Sequence, residues 1–238
     1  MHILVTNDDS INGEGLKVLA QASMKLGKVT VIAPKNVQSG KSHALSLRNP
    51  MEFKKINDII PGVDTYVLDG TPAECVRVGV NHLHHQYDLV FSGVNKGFNL
   101  GEDNFYSGTF AAAHEAVLLG IKAIAFSTHF SSFSGAERYL DEIMKYIFDE
   151  KLLEINPLYG VNIPLESRGI KFCAQGNTHF DITYVAKGDI VQGVGFPQKK
   201  KDNTKYSDVD NTYQGYTTIV PFLINITNYK ILEKLINK

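Results

Sequence analysis

Two adjacent carboxylates, Asp8 and Asp9, directly follow the apolar run Ile3-Leu4-Val5 and its Thr6-Asn7 tail. Acids placed side by side at a strand end repel each other, and a divalent cation is the ordinary way to offset that repulsion. The simpler alternative is that one of them caps the next helix, although Ser10 and Asn12 are equally able to cap. A second segment, Pro34-Lys35-Asn36-Val37-Gln38-Ser39-Gly40-Lys41-Ser42-His43, is long, polar and rich in hydrogen-bond donors, which suits an anion. The third and richest runs from Ser92 to Thr109, between an apolar run and an Ala-rich helical pattern. Connections of that length in compact domains are usually functional, the alternative being a glycine-rich connection with Asn in left-handed turns. Asn95 offers a neutral oxygen to a hard cation. Ser107-Gly108-Thr109 sets hydroxyls and free amides at a helix start, where partial positive charge favours phosphate. Oxygen-only ligation by two Asp, a Ser and an Asn suits Mg²⁺ or Mn²⁺ better than zinc.

Other motifs fail on their own chemistry. Gly40-Lys41-Ser42 ends like a P-loop, but the first glycine of that motif would fall on Lys35, and Ala44-Leu45-Ser46-Leu47 reads as extended where a helix is required. Gly13-x-Gly15 is a poor dinucleotide fingerprint, because Val18 replaces the third small residue and Ala33-Pro34 supplies no acid for a ribose. A D-x-D phosphatase motif would need an acid where Ser10 stands. His82, His84 and His85 follow a helix end, where cationic side chains favour the dipole, so a metal cluster is the weaker reading of them. His43 and His114 are candidates for phosphate contact or acid chemistry, against surface or packing roles.

The elements that must position these groups alternate. Ile3-Leu4-Val5, Val29-Thr30-Val31-Ile32-Ala33, Thr65-Tyr66-Val67-Leu68, Leu89-Val90-Phe91 and Ala123-Ile124-Ala125-Phe126 read as buried strands. Helical spacing appears between Gly13 and Gly27 (Leu16, Leu19, Ala20, Ser23, Leu26), after Thr71-Pro72 (Val76, Val80, Leu83), and near 136–148 (Leu140, Ile143, Met144, Ile147, Phe148). This predicts an α/β fold with a doubly wound, mostly parallel sheet covered on both faces over about residues 1–155. From about Asn156 to the end at 238, short strand-like pieces with Gly and Pro predict an antiparallel appendage or oligomerisation arm, which we treat as an extension of the same domain: Tyr159-Gly160-Val161-Asn162-Ile163-Pro164, Ile170-Lys171-Phe172 and Ile182-Thr183-Tyr184-Val185. A helix from Thr227 to Ile236 follows. In open parallel sheets ligands bind beyond the carboxyl ends of the strands, where Asp8, Asp9 and Asn95 fall.

Composition narrows the function classes. The 238 residues carry 24 Lys and Arg against 25 Asp and Glu, a net charge of −1, without the basic excess of a protein that tracks nucleic acid or an anionic membrane. Surface scaling gives roughly 10,600 Å² folded against roughly 38,000 Å² unfolded, enough burial to fold without disulfide or metal staples. Lys199-Lys200-Lys201 is expected to be a solvated loop tip. Cys75 and Cys173 are far apart and form no ligand-like pair, the apolar start is too short for a signal core, and no run approaches a membrane span. A cytoplasmic protein is the expectation.

Four separated motifs, in order, resemble the SurE survival-protein family: Ile3-Leu4-Val5-Thr6-Asn7-Asp8-Asp9; Ser39-Gly40-x-x-His43; Gly70-Thr71-Pro72-Ala73; and Ser92-Gly93-Val94-Asn95 with Asn99-Leu100-Gly101-Glu102-Asp103 and Tyr106-Ser107-Gly108-Thr109. They cover the chain to about residue 127, with a fainter echo in Gly215-Tyr216-Thr217-Thr218-Ile219-Val220-Pro221. The resemblance implies a Rossmann-like fold and a metal-dependent 5′-nucleotidase acting on nucleoside monophosphates. It implies one divalent cation per subunit, Mg²⁺ or Mn²⁺, on Asp8, Asp9, Ser39 and Asn95, and a homodimer or homotetramer built partly through the C-terminal hairpin. On this reading Asp8 and Asp9 are also the catalytic candidates, and Asn95, Ser107, Gly108, Thr109, Gly40 and His43 are candidate phosphate or substrate contacts. The chain departs from the family in having Ser10 where glycine is usual, and Ala113-His114-Glu115-Ala116 where an Arg-Glu-Gly ending is usual. The rival functions are a polyphosphate or general small-phosphoester phosphatase, and a metal or nucleotide sensor without turnover.

Overall fold

The computed structural model describes residues 1–57, 59–177, 179–198 and 204–237, so the Lys199-Lys200-Lys201 run lies outside the described residues. The first half contains β1 (His2–Thr6), α1 (Glu14–Met24), β2 (Lys28–Pro34), β3 (Phe53–Ile56), β4 (Asp64–Leu68), α2 (Pro72–Asn81), β5 (Leu89–Lys96), a 3₁₀ turn (Gly101–Phe105) and α3 (Gly108–Leu118). The second contains β6 (Lys122–Thr128), α4 (Ser134–Asp149), α5 (Leu152–Ile155), β7 (Leu158–Ile163), β8 (Ile170–Phe172), β9 (His179–Lys187), β10 (Ile190–Gln198), α6 (Asp208–Tyr213), β11 (Thr217–Pro221) and α7 (Tyr229–Ile236).

Nine strands form one sheet in the order β3-β4-β2-β1-β5-β6-β7-β11-β8, and β9 and β10 form a separate hairpin. From β4 to β7 every pairing is parallel, while β3 and β11 run antiparallel to their inner neighbours. Parallel strands covered on both faces must be apolar on both, and the residues divide by parity. Ile3, Val5, Val29, Val31, Phe91, Ile124 and Phe126 face the core shared with α1 and α4. Leu4, Ile32, Val90, Ala123 and Ala125 face the core shared with α2 and α3. On the second side Ala112, Ala113 and Ala116 are fully buried, small enough to let α3 lie close to the sheet and to α2. On the first, Phe91 and Phe126 meet edge to face at 5.5 Å. Each of these rings contributes about 1.5–3 kcal/mol by leaving water.

Chain order reverses beside β1, with β2 and β4 on one flank and β5, β6 and β7 on the other. The segments leaving β1 and β5 therefore diverge and open a crevice at their carboxyl ends. Helix α1 is brought hard against this point by Gly15, where a Cβ would stand 2.0 Å from the Val94 carbonyl oxygen.

The sequence reading needs correction in two places. β7 pairs in parallel with β6 along its length and is wholly buried, and β11 and β8 add to it, so the Tyr159 and Ile170 pieces extend the main sheet and do not belong to an appendage. The strand itself was expected; its Gly and Pro punctuation assigned it to the appendage instead of the main sheet. β3, with two outward lysines between Phe53 and Ile56, is an unanticipated edge strand. Only the β9–β10 hairpin stands apart. It exposes Ile182, Tyr184, Val185, Ile190, Val191 and Val194, and α7 buries none of its residues. The total exposed surface is 12767 Å², about a fifth above the roughly 10,600 Å² of a compact monomer of this mass. Among the described residues no helix is long and apolar enough to cross a membrane.

Candidate active site

Asp8 leaves β1 into a turn pinned by its neighbour, since the Asn7 side-chain amide donates to the Ser10 carbonyl at 2.9 Å. Ser10 holds φ at 77°, in the left-handed region that favours glycine. The departure from the usual family glycine at this position thus falls where the backbone has a reason to prefer it. The Asp8 side chain is 4% exposed and lies against the N-terminus of α3. There the Thr109 hydroxyl donates to Asp8 Oδ1 at 2.7 Å. Gly108 is needed for this approach: a Cβ on it would lie 3.0 Å from Asp8 Cβ and 3.2 Å from Pro72 Cγ. Asp9 accepts from the Lys96 amide at 3.3 Å, which ties it to the end of β5 beside Asn95. Asn95 itself sits where the β5–β6 register slips between Ser92 and Asn95, a bulge that turns its side chain out of the ladder. Its Nδ2 donates to the Gly97 carbonyl at 2.8 Å, leaving Oδ1 as the atom to offer a cation.

The electrostatics follow from this placement. Burial pushes the Asp8 carboxyl up to about 6, Asp9 adds to the rise, and the Thr109 hydroxyl opposes it. Burial also raises Asp9, against the Lys96 amide and ammonium. Among the described residues neither carboxylate is within ion-pair distance of a cationic side chain. Two acids, one of them buried, lie side by side with no ion pair among the described residues and only the Lys96 ammonium acting on Asp9 from farther off, and the atoms they offer are oxygens. That chemistry fits a hard divalent cation. No group of three or more His, Cys, Asp or Glu side chains gathers among the described residues, so thiolate or imidazole ligation is not what the site offers.

The segment 35–52 crosses above these groups without regular structure. The Gln38 amide donates to the Asp8 carbonyl at 2.8 Å, which ties the backbone next to the exposed Ser39 to that of Asp8. Gly40, at φ 70°, turns the chain in open space. The Ser42 amide donates to the Tyr106 carbonyl at 3.1 Å. The Ser107 hydroxyl accepts from the Phe110 amide at 3.1 Å and caps α3. What α3 presents toward the carboxylates is its first turn of amides and the Thr109 hydroxyl. His43 is held by α3, with Nε2 on Glu115 Oε2 at 2.6 Å. His114 packs against the Phe110 ring, with Nδ1 on the Phe110 carbonyl at 3.2 Å, and burial lowers its pKa. His82 and His85 are ring-packing residues, on Phe53 and on His2 and Tyr87.

Residue-type reasoning assigned no role to Lys96, Glu115, Arg77 or Asp208. Asp208, fully buried on α6, accepts from the Gly101 amide at 3.0 Å and from the Gly176 amide at 2.8 Å, fastening the 3₁₀ turn that leads into Ser107. A charged residue following Ser207 at a helix start reads as a cap, and only the fold reveals the partner 107 positions away.

With this geometry in view, the likeness to known proteins is consistent along the chain. A family model described as Survival protein SurE matches residues 3–182. A 5′-nucleotidase SurE of Clostridium beijerinckii is 35% identical over 98% of this chain and 97% of its own length. A 5′-nucleotidase SurE of Campylobacter jejuni is 35% identical over 98% of this chain and 95% of its own. The crystal structure of the SurE protein from Aquifex aeolicus matches with a TM-score of 0.81 at 30% identity, covering 100% of both chains.

Proposed function

Because the chain belongs to the survival protein SurE family of 5′-nucleotidases, and is by that membership a phosphoric monoester hydrolase, we propose that it converts nucleoside 5′-monophosphates to nucleoside and phosphate with one Mg²⁺ or Mn²⁺ held by Asp8, Asp9, Ser39 and Asn95. The observation that carries this reading is the buried Asp8 carboxylate beside Asp9, in no ion pair among the described residues and set against the first turn of a helix at the sheet's switch point.

A divalent cation bound there supplies charge to the phosphoryl oxygens and acidity to a water. The remaining work falls to the chain. Thr109 fixes the Asp8 carboxylate by its hydroxyl bond. The Gly108 and Thr109 amides at the α3 terminus receive the phosphate, in the field of the helix dipole. Asp8 and Asp9 orient the attacking water or take its proton. Gly40 and His43 border the substrate from the crossing loop, and Ser107 contributes by shaping the helix start. The apolar outer faces of the hairpin and α7 support a homodimer or homotetramer, which sedimentation would read directly.

The test is phosphate release from a panel of nucleoside monophosphates, with polyphosphate and 4-nitrophenyl phosphate alongside, by chelator-stripped protein with and without added Mg²⁺ or Mn²⁺. Metal-restored release from the nucleotides, lost in Asp8→Asn, is expected. Folded protein that releases nothing from nucleotides with either metal overturns the reading.

A further inference from the structure

Glu115 is a carboxylate with a 1% exposed side chain on the second turn of α3, in the seam where α3 meets α2. A charge so buried requires partners. It has two: Arg77 Nε from α2 at 2.7 Å from Oε1, and His43 Nε2 from the crossing loop at 2.6 Å from Oε2. The Arg77 contact is off the N–H line and is a charge contact, whereas the His43 contact is a well-formed hydrogen bond. Arg77 alone would neutralise Glu115. The histidine must therefore be accounted for from the loop's side.

Residues 35–52 are mostly exposed and include no helix or strand. Such a segment is mobile unless it is tied down. Its ends are paired, by the Lys35 amide on Leu68 and the Asp69 amide on Glu52; between them, among the described residues, residues 36–50 are tied by the Gln38 amide on Asp8, the Ser42 amide on Tyr106, the Ala44 carbonyl on the Thr71 hydroxyl at 2.8 Å, the Ser46 amide on Glu74, and His43 on Glu115. Of these ties, only the last joins two side chains. It is also charge-assisted, the stronger class of hydrogen bond.

We propose that Glu115 is a positioning residue that acts through His43 to hold the loop bearing Ser39 and Gly40 over Asp8, while Arg77 contacts the other carboxylate oxygen from α2. The proposal rests on the reading of that loop as part of the active site. With Nε2 engaged by Glu115, His43 also presents its Nδ1 edge in one orientation. Loss of the bond frees the loop without disturbing the sheet.

Two readouts test it on the full-length protein. Tryptic cleavage at the exposed Lys41–Ser42 bond, followed by mass spectrometry well below the melting temperature, reports the loop directly. The KM and kcat for adenosine 5′-monophosphate with Mn²⁺ report the site. Glu115→Gln is expected to raise the cleavage rate and KM by roughly tenfold each, with a smaller change in kcat, as removal of one charge-assisted bond implies. His43→Gln is expected to raise cleavage similarly, and adding Glu115→Gln to it should change cleavage by less than about twofold, the signature of one shared interaction. Equal effects of Glu115→Gln in both backgrounds, or unchanged cleavage, overturn the proposal. Should Glu115→Gln not fold, His43→Gln and Arg77→Gln decide: the first must loosen the loop and the second must not. If the wild type hydrolyses no nucleotide, the nucleotidase reading fails, and the cleavage measurements still decide the role of Glu115.

Discussion

Replacing Asp8 by Asn should stabilise the metal-free protein while removing its turnover. The folded carboxyl sits at about 6 against an ordinary value of 3.8, mainly because it is buried. Between those values the folded chain keeps a proton that the unfolded chain has released, so stability falls as pH rises through this window. The loss is complete above about pH 6 and absent below about pH 4. A displacement of that size corresponds to about 3 kcal/mol. Asparagine carries no charge, is nearly the same size, and keeps an oxygen to accept from the Thr109 hydroxyl. In chelator at pH 7.5 the variant should be more stable by up to about 3 kcal/mol, which for a chain of this length is a melting shift of about 6–12 °C. Urea titrations at pH 4 and 7.5 should find the gap closing at the lower pH, since other titrating groups cancel between variant and wild type. Added Mn²⁺ should reverse the order: at a hundred times its Kd a ligand stabilises the wild type by about 2.7 kcal/mol, with little gain for the variant. A variant that melts at or below the wild type in chelator at pH 7.5, or a gap that does not move with pH, would show that the site is not held in strain by an uncompensated buried charge.

Two further substitutions probe how the site is held. Gly15→Ala must push a methyl into the Val94 carbonyl and the Phe133 ring, 2.0 and 2.7 Å away, and should cost about 3 kcal/mol in urea unfolding, with the damage centred where α1 meets the end of β5. Asp208→Ala leaves the Gly101, Gly176 and Val209 amides without their acceptor. It should cost about 3 kcal/mol and speed amide exchange across residues 99–106, whereas exchange confined to α6 would show that the loop is held by other contacts.

How far the sequence could be read depended on whether the governing interaction was local. The inner strands were legible because burial on both faces forces apolar runs such as Val29–Ala33 and Leu89–Phe91, and their helices because one apolar stripe suffices. β3 was not, since an edge strand can carry Lys54 and Lys55 outward and needs only Phe53 and Ile56. Asp8, Asp9 and Asn95 were legible as candidates because strand ends are places that chain order predicts, and Gly108 and Thr109 because a helix start follows them. Ser107 was expected to contact phosphate on the same grounds, and its hydroxyl also caps the helix, a role natural to serine at that position.

Glu115 marks the boundary between what could and could not be inferred. A carboxylate among Ala112, Ala113 and Ala116, on the face of α3 that must be buried, already implies a partner, because an unpaired charge there would cost more than the helix could repay. That much follows from periodicity. Which partner is not a property of the helix: His43 stands 72 residues away in a segment without periodicity, and Arg77 lies on another helix. A buried acid on an alanine-rich face therefore predicts the existence of a tether while leaving its other end open. Here that end is found in the loop beside the two carboxylates, which binds a packing feature of α2 and α3 to the geometry of the site.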